Sequence, residues 1–287
     1  MQAVCISQGG VSVQTNKVGK LRYLKEARSY GDLWGLTSAL LIICSWATCL
    51  CRGLFFFDIG LQLLPAVLLQ MLLQTFLYTG MFITAHDAMH GLVTPGWRKL
   101  NDVIGALCVG CFALFAYKKL LAAHWEHHMH PGTARDPDFH DGKHTSLLGW
   151  YANFMCEYAS VIQLAGMGAT YNLLAFLVGV PHSNLMLCWV APALLSSMQL
   201  FYFGTYLPHH DKLGPKHVDA HRSRSNNMPP WLSFITCYHF GYHWEHHEYP
   251  YVPWWKLPSV RNVVAASEET GTYGVKGKAV AESVKNR

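Results

Sequence analysis

The stretch Ile59–His90 reads IGLQLLPAVLLQMLLQTFLYTGMFITAHDAMH, and it decides the fold class. Its first 27 residues, Ile59–Ala85, contain no Asp, Glu, Lys, Arg or His, and a helix of that length rises about 40 Å. About 20 residues are enough to cross the hydrocarbon core of a bilayer. The stretch therefore predicts a transmembrane helix with His86 and His90 at its end.

Four further runs lack the same five residue types: Leu33–Cys51, Val103–Tyr117, Tyr158–Pro181 and Ser183–Pro208. Three of these runs are long enough to span a bilayer. Val103–Tyr117 is shorter, and we expect it to form a half-crossing or re-entrant segment, or to pack against the others. The runs predict an all-α integral membrane protein with about four transmembrane helices and one short re-entrant or interfacial helix.

Composition supports this class and excludes others. Charged residues make up 14% of the chain and hydrophobic residues 51%, whereas soluble domains average roughly 25% charged residues. The net charge of +5 comes from basic residues in the loops, with no basic face and aromatic platform, so nucleic-acid binding is excluded. Most of the nine cysteines lie in apolar runs, which predicts buried thiols and no disulfide framework.

The loops predict domains and orientation. A polar basic segment (1–32) precedes the membrane domain (33–261), and a polar tail (262–287) is predicted to be disordered. Basic residues lie before the first run, so the positive-inside rule places that end in the cytoplasm or its organellar equivalent. Tracing the spans brings every histidine cluster to this face. We expect a multi-pass protein of a plasma, thylakoid or chloroplast membrane, with histidines on the cytoplasmic or stromal side.

Most of the 17 histidines are clustered. The sequence HDAMH follows the second run, HWEHHMH begins at residue 124, HWEHH begins at residue 243, and His209 and His210 close the last run. Residues three and four apart share one face of a helix, so we expect each HxxHH to direct three imidazoles to one point. Eight nitrogens are then available, from His86, His90, His124, His127, His128, His243, His246 and His247. His209 is a candidate ninth.

The type and number of donors predict two metal ions. Imidazole suits Fe, Cu, Zn and Ni, while the clusters contain no thiolate and no HExxH order. Eight or nine imidazoles exceed the coordination positions of one ion, so a two-metal centre with positions open for oxygen fits the count. A membrane metal carrier is the non-enzymatic alternative, although carriers place polar ligands within their spans rather than on one face.

The order HxxxH, HxxHH, HxxHH around four spans resembles the membrane di-iron desaturase and hydroxylase superfamily. Four longer stretches are similar to the bacterial and cyanobacterial-type β-carotene ketolases: FLYTGMFITAHDAMHG (Phe76–Gly91), HWEHHMHPGTARDPDF (His124–Phe139), QLFYFGTYLPHH (Gln199–His210) and TCYHFGYHWEHHEYPYVPWWKLP (Thr236–Pro258). The similarity extends roughly from Gln74 to Pro258.

This resemblance implies two iron ions, with O₂ as co-substrate. It makes iron ligands of His86, His90, His124, His127, His128, His209, His243, His246 and His247, with His209 favoured over His210. Asp87, Asp136 and Asp138 match family motif positions, and they either support ligand imidazoles or form caps and turns. His221 and His239 are further candidates for bonding to a ligand. No catalytic side chain is implied beyond the ligands.

The resemblance also implies an activity, the oxidation of β-carotene at ring C4. Two hydroxylations and a dehydration would give echinenone and canthaxanthin, or astaxanthin from hydroxylated precursors. The substrate would lie in the bilayer among membrane lipids, and a ferredoxin-type donor would supply electrons. Histidine spacing alone leaves a carotenoid 3-hydroxylase and an acyl-lipid desaturase open as alternatives.

Overall fold

The computed structural model describes residues 17–211, 213 and 219–269. Within this part of the chain every regular element is a helix. The helices are α1 (Lys17–Cys51, continued by a wider turn Arg52–Phe56), α2 (Leu64–His90), α3 (Arg98–Ala113), α4 (Tyr117–Met129), α5 (Leu147–Tyr158), α6 (Val161–Val178), α7 (His182–His209), α8 (Pro230–Cys237), α9 (His243–Glu248) and α10 (Leu257–Glu269).

Four helices of the described chain are long and apolar enough to span a membrane: Leu33–Phe56, Leu64–His90, Val161–Val178 and His182–His209. The predicted fold class is confirmed. Helix α2 lies at the centre and packs against α1, α3 and α7. Almost no residue of helix α6 is fully buried, although Met167, Tyr171 and Leu174 pack against the core on one side. Its apolar outer face is the pattern expected of a helix that contacts lipid.

The central helix begins later than the apolar run suggested. Asp58 accepts a hydrogen bond from the Gly60 N–H (3.0 Å) and caps a separate short turn, Ile59–Leu61. Helix α2 then starts at Leu64, with Pro65 in its first turn, where a missing N–H costs nothing. The helix continues unbroken to His90, so both histidines of the first cluster lie on its last turns.

The short run Val103–Tyr117 forms most of α3 and the bend that joins α3 to α4. These two helices meet at 101°, as expected for a re-entrant segment. Leu114 takes a left-handed conformation there (φ 56°), and its N–H bonds to the Gly110 carbonyl (2.8 Å), which ends α3. The bend returns α4, with its three histidines, towards the end of α2.

Helix α7 contains two wide turns, Leu185–Val190 and Tyr202–Tyr206. Each ends two residues before a proline, Pro192 and Pro208 respectively. A proline within a helix lacks an N–H and collides with the carbonyl four residues earlier, so widening the preceding turn relieves the collision. The second wide turn lies just before His209, at the end of the helix.

Helix α10 crosses the predicted boundary at residue 261. Leu257, Val260 and Val264 pack against Tyr242 and Val252 in a small apolar cluster. Residues 262–269, the first part of the segment predicted to be disordered, are helical. The apolar face of α10 has a packing partner in this cluster, which stabilises the helix. Residues 270–287 and residues 1–16 lie outside the described part of the chain.

Candidate metal centre

Nine histidines converge at the ends of α2, α4, α7 and α9 in two adjacent groups. The donor nitrogens within each group lie within 4.8 Å of one another. The five-histidine group consists of His86, His90, His124, His128 and His246. The four-histidine group consists of His127, His209, His243 and His247. The structure thus brings together all nine histidines that the sequence singled out.

Each HxxHH triplet is divided between the two groups, which corrects the expectation that its three imidazoles share one point. On α4, His124 and His128 belong to the five-histidine group and His127 to the other. A helix turns about 100° per residue, so residues i and i+4 diverge by only about 40°, whereas neighbours i+3 and i+4 diverge by about 100°. The lone middle histidine therefore reaches the second group.

Helix α9 divides its triplet in the opposite sense. His243 and His247 belong to the four-histidine group, and His246 crosses to the five-histidine group. The rings of His128 and His247 stack with centroids 4.3 Å apart, so the two groups are in direct contact. Each of the two helices thus gives two histidines to one group and one histidine to the other. The two groups form two neighbouring candidate metal positions.

The spacing of the imidazole nitrogens fits metal coordination. The Nε2 atoms of four pairs lie 2.7–3.0 Å apart: His90–His124, His128–His246, His127–His247 and His243–His247. Two nitrogens bound at right angles to one ion at about 2.1 Å would be ~3 Å apart. The Nε2 atom of His86 is also buried and has no hydrogen-bond partner among the described residues. The donor set therefore fits two ions.

The electrostatics of α9 favour the neutral imidazole, the form that binds metals. Burial lowers the pKa of His243, His246 and His247 well below its usual value, and the neighbouring imidazoles lower it further. These side chains thus keep a lone pair available at neutral pH.

Two bonds hold imidazoles in the four-histidine group by their second nitrogen. His127 Nδ1 lies 2.9 Å from Asp136 Oδ1, and His209 Nδ1 donates to the Arg222 carbonyl (2.8 Å). Asp136 also accepts from the Gly132 N–H (2.7 Å). Burial alone would raise the pKa of Asp136, but its charge attraction and hydrogen bond to His127 hold it below the usual range. Bonds of this kind fix ring orientation at metal sites.

An apolar cavity ends on both groups. Its walls include the rings of Phe82, Phe112, Phe115, Phe154, Phe201 and Phe240. It reaches His86 and His124 of the five-histidine group, and His127 and His243 of the four-histidine group. The cavity suits a hydrocarbon group held beside two metal ions.

A family model described as "Fatty acid desaturase" matches residues 61–166 and 154–275. The chain belongs to the fatty acid desaturase family. The match includes all nine histidines of the two groups, and histidine-rich clusters of this kind in a desaturase-family chain are compatible with a di-iron site.

Curated relatives show which members of the family the chain is similar to. The chain is 41% identical over 260 residues to "Beta-carotene 4-ketolase" of Protosiphon botryoides, covering 84% of this chain and 67% of the relative. It is 42% identical over 247 residues to "Zeaxanthin 4-ketolase" of Chlamydomonas reinhardtii (81% and 54%). It is 40% identical over 231 residues to "Beta-carotene ketolase" of Paracoccus sp. strain PC1 (79% and 91%).

This desaturase-family chain thus spans about half to two thirds of the algal relatives' length and most of the bacterial one. Within the family, it belongs with the β-carotene ketolases. The resemblance drawn from the sequence is confirmed.

Two of the other candidate residues, Asp136 and Asp138, have carboxyl oxygens within 4.8 Å of a His127 nitrogen. The remaining candidates lie outside both groups. Asp87 Oδ1 lies 3.8 Å from His86 Nδ1, and Asp87 Oδ2 accepts from the Trp254 N–H (3.2 Å). His221 Nε2 lies 2.8 Å from Glu248, and its ring centroid lies 5.9 Å from that of His247.

Two more histidines lie beside aromatic rings. His239 packs against the rings of Tyr242 and Trp254, and His210 against that of Tyr206. Burial lowers the pKa of His239 to about 4, so this side chain is neutral at physiological pH.

Sequence reasoning missed Arg222 and Glu245. Arg222 has φ 43° and offers its carbonyl to His209, while its Nη1 donates to the Gly132 carbonyl (2.8 Å). Glu245, inside the last triplet, is fully buried against Arg261 (3.0 Å), whereas the equivalent Glu126 is partly exposed. The positive φ and the partners depend on the tertiary fold, so no local signal marked them.

Proposed function

We propose that this chain is a carotenoid 4-ketolase that oxidises the C4 methylene of a β-ionone ring to a ketone. The observation that carries the proposal is the apolar cavity, which ends on imidazoles from both histidine groups. Three relatives named as carotenoid ketolases support the same substrate class. β-Carotene offers no polar group, so its recognition requires an apolar cavity.

Two iron ions would be held by the two groups, one by each. Iron bound there supplies the activation of O₂ that a C–H bond without an acidic proton requires. The protein's own residues position the ligand imidazoles and the substrate. Asp136 and the Arg222 carbonyl fix the rings of His127 and His209. The phenylalanine walls would surround the reacting carbon with apolar side chains.

The reaction balances as two equal rounds. Each round consumes one O₂, two electrons and two protons, converts one C4–H bond to C4–OH and releases one water. The second round gives a geminal diol, which loses water to leave the ketone. One oxidised ring of β-carotene gives echinenone and two give canthaxanthin, while rings already hydroxylated at C3 give astaxanthin.

Electrons would come from a ferredoxin-type donor at the face that carries the histidines, on the cytoplasmic or stromal side of a plasma or thylakoid membrane. Lys118 and Lys119 are exposed at the start of α4, which carries three ligand histidines. Exposed basic residues attract an acidic donor and increase its rate of association.

Reversing the charge at both lysines tests this docking. The Lys118→Glu/Lys119→Glu chain is expected to raise the KM for ferredoxin about tenfold at low salt, with kcat at saturation unchanged, because association is slowed and chemistry is not. Steady-state kinetics at several salt concentrations measure both constants. Lys143→Glu, at another exposed position, is the control. An unchanged KM for ferredoxin contradicts the proposed docking.

Pigment analysis of a β-carotene-producing bacterial host tests the activity. Expression of the chain is expected to give echinenone and canthaxanthin by mass spectrometry, and a His247→Ala chain is expected to give neither. Products hydroxylated at C3, or desaturated lipids, would assign the same fold to the alternative enzymes. Unchanged β-carotene beside folded, iron-loaded protein contradicts the proposal.

A further inference from the structure

A carboxyl group lines the otherwise apolar cavity beside the metal groups. Asp138 lies in the wall next to His127, among phenylalanine rings. Its side chain is 18% exposed, whereas the side chain of Asp136, two residues earlier, is 1% exposed and bonds to His127 directly. The two aspartates of the DPD sequence therefore face different surroundings.

The position of Asp138 is fixed from three sides. Its backbone N–H donates to Asp136 Oδ1 (2.9 Å), and its carbonyl accepts from Trp150 Nε1 (2.9 Å). The hydroxyl of Tyr158, which also lines the cavity, donates to Asp138 Oδ1. Oδ2 lies 3.8 Å from His127 Nδ1, beyond hydrogen-bond distance. The carboxyl oxygen Oδ2 of Asp138 is thus held in a fixed position at the cavity wall, where it can accept a hydrogen bond.

Burying a carboxyl group in such a wall is costly unless its oxygens meet polar partners. Tyr158 is the partner of Oδ1, and a hydroxyl group on the bound substrate would be a partner for Oδ2. If the chain acts as proposed above, the first species formed from β-carotene is both largely apolar and able to donate a hydrogen bond. That species is the C4 alcohol formed in the first round. It must stay bound, with its remaining C4–H bond towards the metals, for the second round to give a ketone.

We infer that Asp138, held by Tyr158, is a positioning residue that accepts a hydrogen bond from the C4 hydroxyl of the half-oxidised ring and retains it for the second oxidation. This inference rests on the proposed function. It assigns to Asp138 the difference between a ketone-forming and an alcohol-forming enzyme. Ser197, another polar residue of the wall, is already engaged by the Leu194 carbonyl (2.8 Å) and the Tyr151 hydroxyl.

The ratio of 4-hydroxy to 4-keto products tests the inference. A general loss of structure would lower both products and leave their ratio unchanged. In Asp138→Ala the ratio of 4-hydroxy to 4-keto carotenoid is expected to rise about tenfold or more, because one charge-assisted hydrogen bond to the alcohol is lost. Iron content should stay near that of the wild type, because Asp138 Oδ2 lies beyond hydrogen-bond distance of His127. Tyr158→Phe should move the ratio in the same direction by less, because the carboxyl group remains but loses its support.

Asp136→Asn is the matched control, since that carboxyl group bonds to His127. It is expected to lower iron content and total product without raising the alcohol-to-ketone ratio. If Asp138→Ala does not fold, Asp138→Asn is assayed with supplied 4-hydroxy-β-carotene, for which the KM should rise while that for β-carotene does not.

Three results would show whether the inference or the proposed function is wrong. An unchanged ratio at wild-type iron content overturns the inference. Loss of iron in Asp138→Ala, as in Asp136→Asn, also overturns it and shows that Asp138 acts through His127. A wild-type chain that forms neither the alcohol nor the ketone overturns the proposed function instead.

Discussion

His209→Ala is expected to abolish ketone formation, whereas His210→Ala leaves it near wild type. His209 is almost fully buried, and its ring centroid lies 4.9 Å from those of His127 and His243. The neighbouring His210 lies outside both groups, with its ring against Tyr206. Removing His209 deletes one of four donors from its group, so the second metal position should lose its ion.

The measurements for this pair are iron per chain and ketone yield in the β-carotene-producing host. Wild type and His210→Ala should bind two irons, and His209→Ala about one. The two variants change adjacent residues of the same type, so general effects on the end of α7 are matched. A His209→Ala chain that keeps two irons and full ketone yield contradicts the assignment of the four-histidine group.

Much of the fold follows from composition. Runs without charge, such as Leu33–Cys51, have to be helical in a bilayer, because lipid offers their backbone no hydrogen-bond partner. The sequence placed the short run Val103–Tyr117 apart from the spans for the same reason, its length. Exact helix ends were less predictable. Asp58 and Pro65 together separate a short turn from α2, and that choice depends on local capping rather than hydropathy.

The nine histidines were predictable, but their division into two groups was not read from the sequence. Helical geometry alone separates His127 from His124 and His128, so that part of the arrangement was available from spacing. The placing of His246 with the histidines of α2 was not, because it depends on how α9 lies against α2 and α4. Contacts far apart in sequence, such as Arg222 with His209, require the tertiary structure.

Arg261→Met is expected to destabilise the protein by about 3–5 kcal/mol. Glu245 is fully buried within α9, where Arg261 of α10 donates to Oε1 (3.0 Å) and the Ser225 hydroxyl to Oε2. Removal of the arginine leaves a buried carboxylate without its counter-ion, which is the costly way to break such a pair. The free energy of unfolding in detergent measures the effect.

The double variant Glu245→Gln/Arg261→Met should recover much of that loss, since no uncompensated charge remains. Glu126→Gln is the matched control, because Glu126 holds the same place in the first triplet but is partly exposed and pairs with Arg135 at 3.4 Å. It should cost about 0–1 kcal/mol. Equal losses in Arg261→Met and Glu126→Gln would contradict the argument. A larger loss in Arg261→Met, with weaker iron binding, would show that the α9–α10 ion pair holds His243, His246 and His247 in position.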